Sequence, residues 1–256
     1  MPGSKKVLHP NKNLSIVFTE DDHKYIDTKG RVYTSVTTVI ANAFEKFDSE
    51  TIAKRICEKR GCTWQELVLE WKLAGENAAK LGTRVHENCE FQINGEIDKM
   101  HTASSSNIGE QILFNIAYKQ VEKLLHNKNY IKFETEKLVF SPALKIAGSI
   151  DLFVTCKDGS YIIYDWKILS KGLSQYGFNN KCGILECTKH IQDSNYWHYA
   201  LQLQIYEIIL KAEGYIPLNA DVKRILNVFT DNKFSQHEMP DLKNEAKSLI
   251  KWLNQV

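Results

Sequence analysis

The sequence predicts one α/β domain, a mixed central sheet flanked by helices with a helical insertion. Three observations predict it. Residues 49–93 and 108–126 carry helical periodicity. Three strand-like segments follow, YIKFETEKLVF, LKIAGSIDLFVT and SYIIYDWKIL. A helix, a strand and a final helix then close the chain, an alternation that places a sheet between helical layers. The 256 residues are 43% hydrophobic and 25% charged, enough for a core and inconsistent with disorder or coiled coil. No apolar run approaches a membrane span. The opening MPGSKK leads into no apolar stretch, so no targeting signal is read and a soluble intracellular protein, cytoplasmic or of a phage-infected cell, is expected.

In chain order, residues 1–12 read as a tail and 13–256 as the domain. LSIVF and HKYID alternate like strands, and Thr28-Lys29-Gly30 is a turn into RVYTSV. Ser35 caps a short helix over VTTVIANAF. The helical stretch from Ser49 to Ile93 is expected to break near Gly61 and Gly75, with Thr63 and Glu66 as a capping box. HTASSSN is a loop, Ile108 to His126 a helix, and 130–230 the core of the domain. Residues 170–190 are a long loop; helix returns from Ser194 to Ala212, strand from Val222 to Phe229, helix from Asp241.

Net charge is +2, too balanced for a protein that coats nucleic acid but compatible with a local basic groove. Six cysteines at 57, 62, 89, 156, 182 and 187 lack C-x-x-C spacing. In a chain with a self-sufficient core they read as reduced thiols rather than a disulfide framework or zinc site.

The hairpin over 147–169 is the most informative stretch. A three-residue loop, Lys157-Asp158-Gly159 with Gly159 left-handed, sets Asp151 opposite Asp165 and puts Lys167 on the same face. A two-residue turn would set Asp151 opposite Trp166. Even positions, Ile150, Leu152, Val154, Ile162, Tyr164, Trp166 and Ile168, are apolar and face the core. Two carboxylates so close repel unless a cation lies between them, and hard oxygen ligands suit Mg²⁺ or Mn²⁺. The alternative is a surface hairpin with an ordinary Asp–Lys pair.

GSID at 148–151 followed by DWK at 165–167 resembles the signature of the PD-(D/E)XK nuclease superfamily, whose core is restriction-endonuclease-like. GTRVHENCE at 82–90, QLQIY at 202–206 and YTSVTTVI at 33–40 resemble its RecB-like exonuclease branch, nearest to the mitochondrial genome-maintenance exonuclease and related phage nucleases. The resemblance implies a metal-dependent DNA exonuclease that hydrolyses phosphodiesters from single-stranded or frayed ends. Asp151 and Asp165 would bind metal with the Trp166 carbonyl and His86, and Lys167 would be the catalytic lysine. Glu90, one turn after His86, would be accessory. Gln202 and Tyr206 would steady the lysine and the strand; Ser35, Thr37 and Thr38 would donate to phosphates. Gly82 would let its helix approach the hairpin, and 49–126 would build a helical arch. Trp197, His198 and Tyr199 would stack on bases or fill the core. No cysteine follows Cys187, so no iron–sulfur cluster is expected. A structure-specific or recombination nuclease on duplex ends is the alternative within this chemistry, and a non-catalytic nucleic-acid-binding module the alternative outside it.

Overall fold

The computed structural model describes residues 4–11, 13–19, 24–230 and 232–255. Strands β1 (Ser4–Leu8), β2 (Ser15–Thr19), β3 (Lys24–Asp27) and β4 (Val32–Ser35) form an antiparallel meander. β1 lies in the stretch expected to be a tail. Its polar SKKVL sequence gives no hydrophobic signal, and backbone pairing to β2 supplies the order instead. Gly30 closes the β3–β4 turn at a φ of 74°.

Helix α1 (Val36–Ala41) is capped by Ser35, whose Oγ accepts the Thr38 N–H at 3.0 Å. α2 (Ser49–Arg60) ends at left-handed Gly61, the break the sequence places there. That turn brings Cys62 back onto Cys57 and the two form a disulfide, so they are not the reduced pair expected. α3 (Trp64–Ile93) runs unbroken through Gly75, where a second break was expected. One glycine costs a helix about 1 kcal/mol relative to alanine, and thirty residues absorb it. Thr63 does not cap α3; its hydroxyl donates to the Glu66 carboxylate at 2.5 Å. After α4 (Ile108–Leu125) come β5 (Tyr130–Ser141), β6 (Ile146–Cys156), β7 (Tyr161–Ile168), α5 (Asn195–Ala212), β8 (Val222–Phe229), β9 (Phe234–Glu238) and α6 (Lys243–Leu253). β9 is a polar edge strand, FSQHE, that the apolar pattern does not reveal.

The strands form one mixed sheet between two helical layers. On one face Phe153, Ile163, Leu226 and Val228 pack under α1, α5 and α6. On the other Leu152, Val154, Tyr164 and Trp166 pack under Val85 and Cys89 of α3 and Leu113, Ala117 and Val121 of α4. So α4 and the second half of α3 belong to the body of the domain. Only α2 and the first half of α3 stand away from it, and residues 72–80 are exposed on every side. The region 49–126 is therefore only partly an arch. Among the described residues no helix is long and apolar enough to cross a membrane.

One feature of the sheet positions the site. β5 pairs with β6 along its whole length. The other edge of β6 is shared, β7 pairing with residues 152–155 and β4, in parallel, with Ile146 and Ala147. Between these partners, Gly148 to Asp151 have no strand on that edge.

Candidate metal centre

The β6–β7 loop is the three-residue Lys157-Asp158-Gly159, with Gly159 at a φ of 84° and the Cys156 N–H donating to the Ser160 carbonyl at 2.9 Å. The ladder runs Leu152↔Tyr164 to Thr155↔Tyr161, the register that sets Asp151 opposite Asp165. Pairing stops just before the acids. The Trp166 N–H turns from the ladder and donates to Asp151 Oδ2 at 2.8 Å. The pleat also inverts here, for Ile150 packs under α5 and Leu152 under α3 and α4. The expectation that every even position shares one core fails at Asp151. The change falls opposite an unusual backbone: Glu136, which counts opposite Asp151 on β5, has a φ of 44°. A left-handed non-glycine residue inside a strand is strained and persists only where its surroundings over-determine it.

His86 reaches this gap from α3. Its Nε2 lies 2.8 Å from the Trp166 carbonyl and its Nδ1 3.6 Å from Asp151 Oδ2. His86, Glu136 and Asp151 each offer a ligand atom within 4.8 Å of the others, the one such cluster among the described residues. One nitrogen and two carboxylates, all partly exposed, are a donor set for a divalent cation. Glu136 is the residue the sequence reasoning missed. It sits in an alternating Glu134–Glu136 pattern that reads as a solvated strand face, and only the β5–β6 register, counted across the 142–145 turn, would have placed it beside Asp151.

Asp165 lies outside that cluster. It is 2% exposed and held by Lys167, whose Nζ is 2.6 Å from Oδ2. Burial and the nearby Asp151 charge raise the Asp165 carboxyl above the ordinary range against the pull of Lys167. Burial opposes the charge on Lys167, but the Asp165 and Asp151 carboxylates outweigh it and keep the ammonium protonated. Lys167 Nζ also donates to the Trp166 carbonyl at 3.2 Å and lies 5.1 Å from the centre of the Tyr199 ring. The Glu136 carboxyl is pushed up to about 7, first by burial, then by the charges of Asp151 and Glu90, although Ser149 Oγ donates to it at 2.7 Å.

The cluster opens into a cleft of about 630 Å³ lined by Lys5, Gly82, His86, Glu90, Glu136 and Asp151, among others. Lys5 donates to the Glu136 carbonyl and brings β1 to its rim. Glu90 shares the cleft with His86 and accepts from Thr135 Oγ1 at 3.3 Å. Gly82 does not serve a close helix–hairpin approach. A Cβ there would meet open space, so glycine instead keeps the cleft wide.

The remaining expected residues lie elsewhere. Gln202 and Tyr206 are buried on α5, with Gln202 Nε2 donating to the Tyr206 hydroxyl at 3.3 Å; it is Tyr199 that faces Lys167. Thr37 and Thr38 are exposed at the start of α1, and the Ser35 Oγ lies 2.9 and 2.7 Å from their hydroxyls. Ser35 pairs with Ala147, so α1 starts beside the unpaired edge of β6. Trp197 Nε1 donates to the Gln175 carbonyl at 3.0 Å and His198 packs on Phe44 with ring centres 4.1 Å apart.

No family model matches the chain, and no curated protein is significantly similar to it. Among solved structures it is similar to a provisionally assigned exonuclease from Eubacterium rectale, at 14% identity over 87% of this chain and 79% of that one, with a TM-score of 0.45. It is also similar to the protein SSO0001, at 14% identity over 65% of this chain and 83% of that one, with a TM-score of 0.27. Likeness this distant says nothing of what this chain does.

Proposed function

We propose that the chain is a DNA nuclease of the PD-(D/E)XK, RecB-like type, dependent on Mg²⁺ or Mn²⁺ and acting as an exonuclease on single-stranded or frayed ends. The observation that supports this best is the meeting of His86, Glu136 and Asp151 beside the Asp165–Lys167 pair, where the sheet parts and an open cleft begins. A metal bound there would supply Lewis acidity at a phosphoryl oxygen and a water of lowered pKa. His86, Asp151 and Asp165, with Glu136 added and the Trp166 carbonyl alongside, would hold it. Glu90 would serve as an accessory group on the same helix face.

The chain's own residues have distinct tasks in this reading. The Trp166 N–H fixes Asp151, so the carboxylate presents its lone pairs without searching rotamers. Lys167 stays protonated and donates to a phosphate oxygen as charge grows on it; it does not take a proton from water. The hydroxyls of Ser35, Thr37 and Thr38 donate to phosphates further along the strand. Gln202 and Tyr206 are positioning residues that act through β6.

The test is end-labelled and closed circular single-stranded DNA, incubated with Mg²⁺, Mn²⁺ or EDTA. Loss of linear but not circular strand, blocked by EDTA and abolished by Asp165→Asn with DNA binding retained, is expected. Cleavage of circles overturns the exonuclease reading in favour of an endonuclease. Undiminished cleavage by Asp165→Asn, or none by the parent chain with either metal, overturns the mechanism.

A further inference from the structure

Five arginines stand among 28 lysines. Three are committed to carboxylates: Arg31 to Asp27 at 2.6 Å, Arg84 to Glu110 and Arg224 to Glu207. The other two, Arg55 and Arg60, have no acidic partner among the described residues, and both line one groove. Lys59 and Ile56 complete its α2 wall, Phe178 and Asn179 form the other wall, and the space between is about 460 Å³. Arg55 and Lys59 are one turn apart on α2 and Arg60 directly follows Lys59, so all three cations border the groove. The acids of α2 are not in the groove, Glu50 being paired with Lys54 at 2.5 Å. Three like charges with no counter-charge repel one another unless an anion bridges them.

The opposite wall presents one ring. Phe178 is 66% exposed, yet the backbone of its loop is pinned. A Cβ on Gly177 would lie 2.5 Å from the Lys181 carbonyl, so the loop closes tightly there. The Gly177 N–H donates to Gln192 Oε1 at 3.1 Å, Trp197 fixes the Gln175 carbonyl, and Ile184 N–H donates to the Ala43 carbonyl at 2.8 Å. A large apolar ring held outward on a braced loop, opposite three cations, matches a polyanion that carries π-faces. An acidic peptide offers carboxylates without regular stacking partners; single-stranded DNA offers phosphates and bases in register.

We infer that the groove of Arg55, Lys59, Arg60 and Phe178 holds a stretch of single-stranded DNA outside the metal cleft, contributing affinity and dependence on strand length rather than chemistry. The inference rests on the nuclease reading for the choice of DNA as the polyanion. The groove and the cleft share no lining residue, so the two are separable by mutation.

The experiment compares the parent chain, R55Q/K59Q/R60Q and F178A, with glutamine chosen to keep helix propensity. Anisotropy in EDTA measures binding of oligo(dT) of 5 and 20 nucleotides and of inorganic polyphosphate across a salt series. Hydrolysis of the p-nitrophenyl ester of thymidine 5′-monophosphate with Mn²⁺ reports the cleft alone. The triple variant should bind the 20-mer at least about tenfold more weakly and lower its salt slope by about 2, the value for three lost phosphate contacts on a single strand. F178A should cost about fivefold or more on the 20-mer, one stacking contact, and nothing on polyphosphate. Ester hydrolysis should be unchanged in both. Unaltered 20-mer affinity and salt slope overturn the groove, as does a loss equal on polyphosphate with F178A silent, which marks an unspecific anion patch. If the parent hydrolyses nothing yet binds the 20-mer through these residues, the nuclease reading falls and the groove stands. If it hydrolyses DNA and the variants bind as the parent does, the groove falls alone.

Discussion

The Tyr206 ring rests directly on Gly148: a Cβ on that glycine would lie 2.7 Å from Cε1 and 3.0 Å from the hydroxyl. Gly148 begins the stretch of β6 that lacks a partner on one edge, and the ring occupies the space that a side chain would take. The contact fixes the height of α5 over the strand that carries Asp151 three residues on. Gly148→Ala must push back a tyrosine that is 3% exposed in a packed core, at a cost of about 1–3 kcal/mol. Activity should fall more than that stability loss explains, measured at a temperature where the variant is fully folded. Tyr206→Phe keeps the ring on Gly148 but takes the acceptor from the buried Gln202 amide, so it should cost about 1–3 kcal/mol while leaving the Gly148 contact in place. A Gly148→Ala variant as stable and active as the parent would show that the contact carries no positional information.

Glu136 gives the metal-free chain an unusual pH response. Its carboxyl titrates at about 7, above the 4.5 of an exposed glutamate. Between those values the folded chain holds a proton that the unfolded chain has released. Stability therefore falls as pH rises through this window. A divalent cation replaces that proton, so the gain in Tm on adding Mn²⁺ should be larger at pH 8 than at pH 5.5. Glu136→Gln should flatten the metal-free profile and shrink the Mn²⁺ gain. Identical profiles for parent and variant, read by scanning fluorimetry, would remove Glu136 from the site.

Much of this was legible because strand parity and turn length are local. Lys157-Asp158-Gly159 alone sets Asp151 against Asp165, and the apolar runs of β6 and β7 mark a doubly covered sheet. What was illegible depends on partners distant in sequence. Nothing in SKKVL foretells pairing with β2, nor in FSQHE pairing with β8, since backbone bonds rather than apolar side chains make those strands. Ile150 leaves the expected face at the point where Glu136, left-handed on another strand, stands opposite Asp151. Cys57 and Cys62 meet because Gly61 turns left-handed between them, a conformation that spacing alone does not specify.

Asp27 is a structural counterpart that no motif singles out. Its buried carboxylate accepts the N–H groups of Lys29 and Arg31 at 2.8 and 3.0 Å, Arg31 Nε at 2.6 Å and the Tyr33 hydroxyl at 2.9 Å. Burial alone would raise its pKa, but these donors outweigh burial and lower it. Its stabilising effect is thus present above the ordinary aspartate pKa and is lost as pH falls through the lowered one. Asp27→Ala should cost about 2 kcal/mol at pH 7, with the half-exposed Arg31 adding little to that sum. The difference from the parent should vanish in strong acid; a constant difference down to pH 2 would mean packing, not charge, holds the β3–β4 turn.

His86 is where ligand and structural roles can be separated. Its side chain is 25% exposed and lines the wall of the cleft. Its bond to the Trp166 carbonyl is an ordinary one, worth about 1 kcal/mol. If that were its whole role, His86→Ala would lower Tm slightly and leave the metal response alone. As a ligand beside Glu136 and Asp151, it supplies the one nitrogen in the cluster. Removing it should raise the Mn²⁺ concentration that half-restores cleavage by about tenfold or more, comparable to the loss of a neighbouring support group in known metal sites. The Mn²⁺-induced rise in Tm should shrink in step, a readout independent of turnover. His86→Asn keeps a polar group near the Trp166 carbonyl but offers a weaker ligand, so it should restore the metal-free Tm without restoring metal affinity. Full recovery of both by asparagine would reduce His86 to a hydrogen-bond donor and leave the cation to the carboxylates.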